Sequence, residues 1–221
     1  MATTQTHALP GPAGKIEMIL TQPETAPTAT AVLCHPHPLY GGSMHDGVLA
    51  ICAQVLLEAG VAVARFNFRG VGASEGISGR ASPEEKDQAD WQPPEIGDLQ
   101  GVIQGLTQIQ GTGPTILAGY SFGAHVLWQA LTQLADLRQA TETAILVAPP
   151  SKAMNFATEL SATQVNLHAI WCTEDDYVDP AWIEQTPQLH QHPITGGDHF
   201  FSGKGADLAN AVTAALATGA G

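Results

Sequence analysis

Five short apolar runs, each closed by glycine, proline or polar residues and separated by stretches of helical spacing, restrict this chain more than any other feature. They are residues 29–34 (ATAVLC), 61–68 (VAVARFNF), 114–118 (PTILA), 143–148 (TAILVA) and 165–172 (VNLHAIWC). Unbroken apolar character over runs of this length suits strands covered on both faces, as in a parallel sheet with helices on each side. Helices are expected between them at 47–59, 96–109, 123–137 and 180–187, with a last one at 204–217. Such alternation predicts an α/β fold, a doubly wound, mostly parallel sheet flanked by helices. The 221 residues suit a single domain of this kind, 1–221, large enough to need no disulfide or structural metal.

Two segments fall outside the alternation. Pro10, Pro12, Pro23 and Pro27 surround the run KIEMIL, which reads as an antiparallel edge hairpin leading into the sheet. The stretch from Gly76 to Pro94 has no sustained period and a surplus of acids, so it reads as a long surface loop.

Eight Lys and Arg against 21 Asp and Glu leave a formal charge of −13, a field that repels phosphate backbones and anionic lipid surfaces. Nucleic acid and membrane are therefore not expected partners. The first residues lack a basic start followed by an apolar run, and no stretch reaches the ~18 apolar residues of a membrane span, so a cytoplasmic location is expected. Cys34, Cys52 and Cys172 are odd in number and widely spaced, which fits reduced, buried thiols.

The pattern Gly-x-Ser-x-Gly occurs twice, and context separates the two copies. Nucleophile chemistry wants a strand before the serine and a helix after it, whose N-terminal N–H groups favour developing negative charge. Gly119-Tyr120-Ser121-Phe122-Gly123 follows the run TILA and precedes Ala124, Leu127, Leu131 and Leu134, spaced along one helical face. Ser121 is thus the candidate nucleophile. Gly72-Ala73-Ser74-Glu75-Gly76 opens into the irregular acidic stretch, so Ser74 belongs to a tight turn.

A serine hydroxyl needs a base, and the base needs an acid to orient it. The segment Thr173-Glu174-Asp175-Asp176-Tyr177-Val178-Asp179-Pro180 follows the last apolar run, at the end of the sheet where such folds keep their sites. Asp179 precedes a proline and reads as a helix N-cap, which leaves Glu174, Asp175 and Asp176. Among nine histidines, His199 sits in Gly196-Gly197-Asp198-His199-Phe200-Phe201, after both other members and just before a helix. An acyl-transfer oxyanion also needs two N–H donors. Phe122 offers the first. The second should come from Cys34-His35-Pro36-His37-Pro38-Leu39-Tyr40-Gly41-Gly42, where the prolines have no N–H and His37, Leu39 and Tyr40 remain. Tyr40, Tyr120, Phe122, Tyr177 and Phe200 flank these positions, either lining an acyl pocket or packing behind the catalytic groups.

The segments CHPHPLYGGSMH, RFNFRGVGASEG, AGYSFGAHV, TEDDYVDP and GGDHFF, in that order, resemble the α/β-hydrolase superfamily, and within it the small bacterial serine hydrolases similar to dienelactone hydrolases. The resemblance covers nearly the whole chain. It implies a Ser-His-Asp triad, a small-molecule ester or acyl substrate, no metal and no cofactor, and little or no cap. The family's Gly-x-x-Asp turn falls on Thr173 to Asp176, which favours Asp176 as the acid. Thr173 replaces the glycine, so Asp175 is the alternative. Dienelactone hydrolases proper use a cysteine nucleophile, and no cysteine stands at this elbow. Two other readings compete: a non-catalytic binding protein on the same fold, and a metal-dependent hydrolase built on His35 and His37.

Overall fold

The computed structural model describes residues 2–78, 92–156, 160 and 163–218. An eight-stranded sheet runs through the molecule in the order β1-β2-β4-β3-β5-β6-β7-β8. β1 (Thr3–Gly11) and β2 (Gly14–Gln22) form the expected hairpin, and β2 lies antiparallel to β4 (Val61–Phe66). From β4 onward all neighbours are parallel: β3 (Ala29–Cys34), β5 (Ile116–Tyr120), β6 (Thr143–Val147), β7 (Asn166–Cys172) and β8 (Leu189–Ile194).

The central strands are apolar because both faces are covered. α1 (Gly47–Glu58) packs on β3 and β4 and against α6 (Gly205–Ala217), while α2 (Glu95–Gln110) covers β1 and β2. α3 (Phe122–Gln133) packs on β3, β5 and β6, and its Trp128 is fully buried. The helix expected over 123–137 is broken: Leu134 is extended (φ −105, ψ 95), and the short α4 (Ala135–Ala140) follows. α5 (Pro180–Glu184) starts at an Asp179 cap that accepts from the Ala181 N–H at 3.1 Å. β8 was not among the apolar runs, because an edge strand with exposed middle residues has no reason to be apolar. Of the Gly76–Pro94 stretch, residues 79–91 lie outside the described residues.

The chain leaves β3 toward β4 on one side and later returns to β5 on the other. The strand order therefore reverses between β3 and β5, and a crevice opens at their C-terminal ends. Ser121 and the loop after Cys34 meet there.

Three histidines are buried as neutral rings. His35 accepts the Phe68 N–H at Nε2 (3.0 Å) and places Nδ1 on the Pro36 carbonyl (2.6 Å). His168 faces His192 ring to ring (Nδ1 to Nε2, 3.1 Å), and His125 packs against Phe156. Burial pushes each of the three down to about 4. Between pH 6.5 and 4 the unfolded chain binds protons that the folded one refuses, so the stability present above pH 6.5 is lost as pH falls. Each ring contributes up to ~1.4 kcal/mol per pH unit in that window. The urea midpoint should therefore drop clearly from pH 7 to pH 5 at constant m-value. An unchanged midpoint contradicts this.

Candidate active site

Ser121 occupies the one-residue turn between β5 and α3 with φ 54 and ψ −117, a conformation costly for any residue with a side chain. Its N–H is held by the Val147 carbonyl at 2.9 Å, and its own carbonyl accepts from Ala124 (2.9 Å) and His125 (3.2 Å). The flanking glycines are required by space. A Cβ on Gly119 would collide with the Gly123 carbonyl, and a Cβ on Gly123 with the carbonyl of Cys34. The turn can form only because strand, helix and neighbouring strand approach with no side chains between them.

His199 lies nine-tenths buried in the loop after β8, where Gly196 (φ 68) and Gly197 (φ 77) both use left-handed backbone. Its Nε2 is 2.8 Å from Ser121 Oγ, and its Nδ1 is 2.8 Å from Asp175 Oδ2. The carboxylate can only accept, so Nδ1 carries the proton and Nε2 is left to take the serine's hydrogen. The carboxylate that meets Nδ1 is that of Asp175, the alternative, and not that of Asp176 as first expected. The Asp175 N–H closes a turn onto the Cys172 carbonyl at 3.1 Å, which turns the side chain inward; its Oδ1 accepts the Tyr177 N–H at 2.8 Å. Asp176, one residue on, is exposed.

Thr173, at the place of the family's glycine, ties the acid loop to the histidine loop. Its N–H donates to the Ile194 carbonyl (2.9 Å) and its Oγ1 accepts from the Gly196 N–H (2.8 Å). Tyr120 fixes the histidine from below: buried, it donates its hydroxyl to the His199 carbonyl at 3.0 Å. Asp198 closes the loop by accepting from Phe200 and Ser202 N–H groups, both at 3.0 Å, and those bonds hold its carboxyl below the usual range. Neither the Thr173 nor the Tyr120 contact could be read from the sequence, since each joins residues far apart in the chain.

Phe122 is the first residue of α3, where N–H groups lack intrahelical acceptors. The loop after β3 faces it, with the His37 and Phe122 rings 4.6 Å apart. Within that loop Pro38–Tyr40 forms a 3-10 turn. Its Leu39 N–H donates to His37 Nδ1 at 3.1 Å and its Tyr40 N–H to the His37 carbonyl at 3.0 Å. Leu39, expected as a possible oxyanion donor, is thus committed to the turn, as is Tyr40. His35 and His37 serve the same loop: both His35 nitrogens meet backbone groups and His37 Nδ1 caps the turn, which corrects the metal-ligand reading of this region.

The other sequence candidates separate cleanly. Ser74 is buried far from His199 in sequence and bonding, donating to the Asn67 carbonyl (2.7 Å) and accepting the Glu17 N–H (2.9 Å) as a turn anchor. The three cysteines are free and buried, and burial pushes their thiols up, Cys172 to about 11 and Cys52 to about 12. Of the five aromatics, Tyr120 and Phe122, the neighbours of Ser121 in the chain, are buried. Tyr40, Tyr177 and Phe200 are exposed, the last two with rings 4.8 and 5.6 Å from His199. No described helix is long and apolar enough to cross a membrane.

Known proteins share this fold. Residues 31–218 match the model of the alpha/beta hydrolase family. An uncharacterized protein of Rickettsia prowazekii is 28% identical over 94% of this chain and 87% of its own length. An a/b serine hydrolase without lid from Xanthomonas campestris superposes with a TM-score of 0.80 at 29% identity, covering 97% of this chain and 94% of that one. An alpha-beta serine hydrolase homologue from Coxiella burnetii gives 0.79 at 27% identity, with 96% and 97% covered. Matched by the family's model over most of its length, this chain belongs to the alpha/beta hydrolase family and is a hydrolase.

Proposed function

We propose that the protein is a serine hydrolase cleaving a carboxylic ester or related acyl compound through an acyl-enzyme. The observation that carries this reading is the His199 ring bridging Ser121 Oγ and Asp175, each at 2.8 Å. Ser121 Oγ attacks the acyl carbon while its proton passes to His199 Nε2, and Asp175 stabilises the imidazolium through Nδ1–H. The developing oxyanion is held by the Phe122 N–H at the start of α3. The second donor is proposed to be the His37 N–H, on the loop that faces Phe122 with the two rings 4.6 Å apart. Collapse gives the proton on Nε2 to the leaving alcohol. A water then repeats the sequence on the acyl-enzyme, its proton going to His199 and returning to Ser121. The two aromatic rings beside His199 and the open crevice suit a small, largely apolar substrate. The acidic surface disfavours an anionic one.

Two experiments test the assignment. A fluorophosphonate probe should label the wild type and the Ser74→Ala variant but not Ser121→Ala. A protein that only binds ligands on this fold stays unlabelled throughout. In an ester assay, Asp175→Asn should lower kcat by roughly 10³- to 10⁴-fold by misorienting the His199 tautomer, whereas Asp176→Asn should stay within a few-fold of wild type. The opposite ranking returns the acid to Asp176.

A further inference from the structure

Large apolar side chains exposed to solvent are few among the described residues, and most of them gather in one region. Leu39, Tyr40, Tyr177 and Phe200 stand on the three loops that carry His37, Asp175 and His199, and among the described residues only Ile77 and Ile109 stand elsewhere. Apolar side chains scattered singly over a surface are ordinary, whereas a group of them around one crevice marks a contact. The group divides in two. Tyr40 packs on His37 with ring centroids 5.3 Å apart, and His37 packs on Phe122. Tyr177 and Phe200 pack on His199, the first at 4.8 Å with the planes tilted by 53°, the second at 5.6 Å and edge-on at 84°.

Both rings beside His199 stand on backbone that is pinned. The Tyr177 N–H donates to Asp175 Oδ1 at 2.8 Å and its carbonyl accepts the Lys152 N–H at 3.0 Å, while the Phe200 N–H donates to Asp198 Oδ1 at 3.0 Å. Tyr177 is nevertheless 49% exposed and Phe200 68%. They offer ring surface from a fixed backbone, at little ordering cost to a ligand. Reach to Ser121 follows from the same contacts. His199 Nε2 is 2.8 Å from Ser121 Oγ, so each of these rings touches the ring that touches the hydroxyl, and a group of benzyl size bonded at Ser121 spans the distance.

Reaction chemistry decides which part of an ester these rings meet. When the tetrahedral intermediate collapses, the bond from the acyl carbon to the alcohol oxygen breaks, its electron pair stays on that oxygen, and His199 Nε2 delivers the proton; the carbon remains bonded to Ser121 Oγ. The alcohol oxygen must then lie within hydrogen-bond reach of Nε2, whereas the carbonyl oxygen is turned to the Phe122 N–H. We infer that Tyr177 and Phe200 form the leaving-group site, and that the substrate is an ester of a small, uncharged aromatic alcohol whose ring packs against theirs. The inference rests on the acyl-hydrolase reading, which sets the scissile carbonyl at Ser121. Aromatic rings prefer offset or edge-to-face partners, an arrangement that a planar leaving group completes against two rings held at different tilts. An anionic alcohol portion is disfavoured, because Asp176 and Asp198, both exposed, stand on the same two loops.

The test uses the full chain and three esters that share one reacting centre. They are methyl acetate, benzyl acetate with a phenyl group added on the alcohol side, and methyl phenylacetate, its isomer with the phenyl group on the acyl side. Steady-state kcat/KM is measured for the wild type, Tyr177→Ala, Phe200→Ala and Tyr177→Phe. In each alanine variant the ratio of benzyl acetate to methyl acetate should fall about tenfold, the size of one aromatic pair with its buried area. The ratio of methyl phenylacetate to methyl acetate should hold, and Tyr177→Phe should keep both ratios. Methyl and benzyl acetate form the same acetyl-enzyme, so a variant that only misplaces His199 slows both and leaves their ratio unchanged, which overturns the site. A larger fall for methyl phenylacetate gives the rings to the acyl side and overturns it too. If one alanine variant does not fold, the other decides. A wild type that the fluorophosphonate probe labels but that turns over benzyl acetate no faster than methyl acetate overturns the leaving-group site alone, whereas a wild type that the probe does not label overturns the acyl-hydrolase reading and the site with it.

Discussion

The close approach of three backbones at Ser121 is the constraint on which the rest of the site depends. The Cys34 carbonyl at the end of β3 lies against Gly123, and the Gly123 carbonyl lies against Gly119. No side chain fits between them, so the turn from β5 into α3 is held at a positive φ by its surroundings. The sheet supplies the restraint through the bond from the Ser121 N–H to the Val147 carbonyl, and the helix through the bonds that return to the Ser121 carbonyl. The same contact brings the loop after β3 beside the first N–H of α3. The positions proposed for nucleophile and oxyanion donors are therefore set by one packing event.

The acid illustrates how a buried charge is managed where no cation is present. Asp175 has a fully buried side chain and meets the His199 ring at 2.8 Å. Its oxygens are satisfied by the Tyr177 N–H and the His199 Nδ1–H, dipoles fixed by the chain itself. Such an arrangement tolerates the appearance of imidazolium during a reaction without any group having to move. It also makes the carboxylate sensitive to loss of either donor, because a buried charge left unpaired is strongly destabilising.

Sequence patterns revealed what is decided locally. Apolar runs with both faces covered located five strands to within about two residues, and the elbow's strand-before, helix-after context separated Ser121 from Ser74. Features decided by long-range contact were not legible. β8 carries no apolar signature because it is a half-exposed edge, and Leu134 breaks the long helix with no proline or glycine to announce it. The choice between Asp175 and Asp176 turns on one hydrogen bond to Cys172, and adjacent identical residues give a pattern reader nothing to distinguish them. That the Leu39 N–H is taken up by the His37 ring, in the loop proposed to hold an oxyanion, could not be read from the sequence either.

His199 hangs from the outermost strand of the sheet. β8 pairs on one side only and includes Pro193, which cannot donate to a ladder, and the His199 loop is fastened to β7's loop through Thr173 and Asp175 and to β5 through the Tyr120 hydroxyl. Edge strands open more readily than the core they flank. The two partners of the Oγ–Nε2 contact thus stand on strands of unequal enclosure, Ser121 at the end of a central one and His199 beyond an edge.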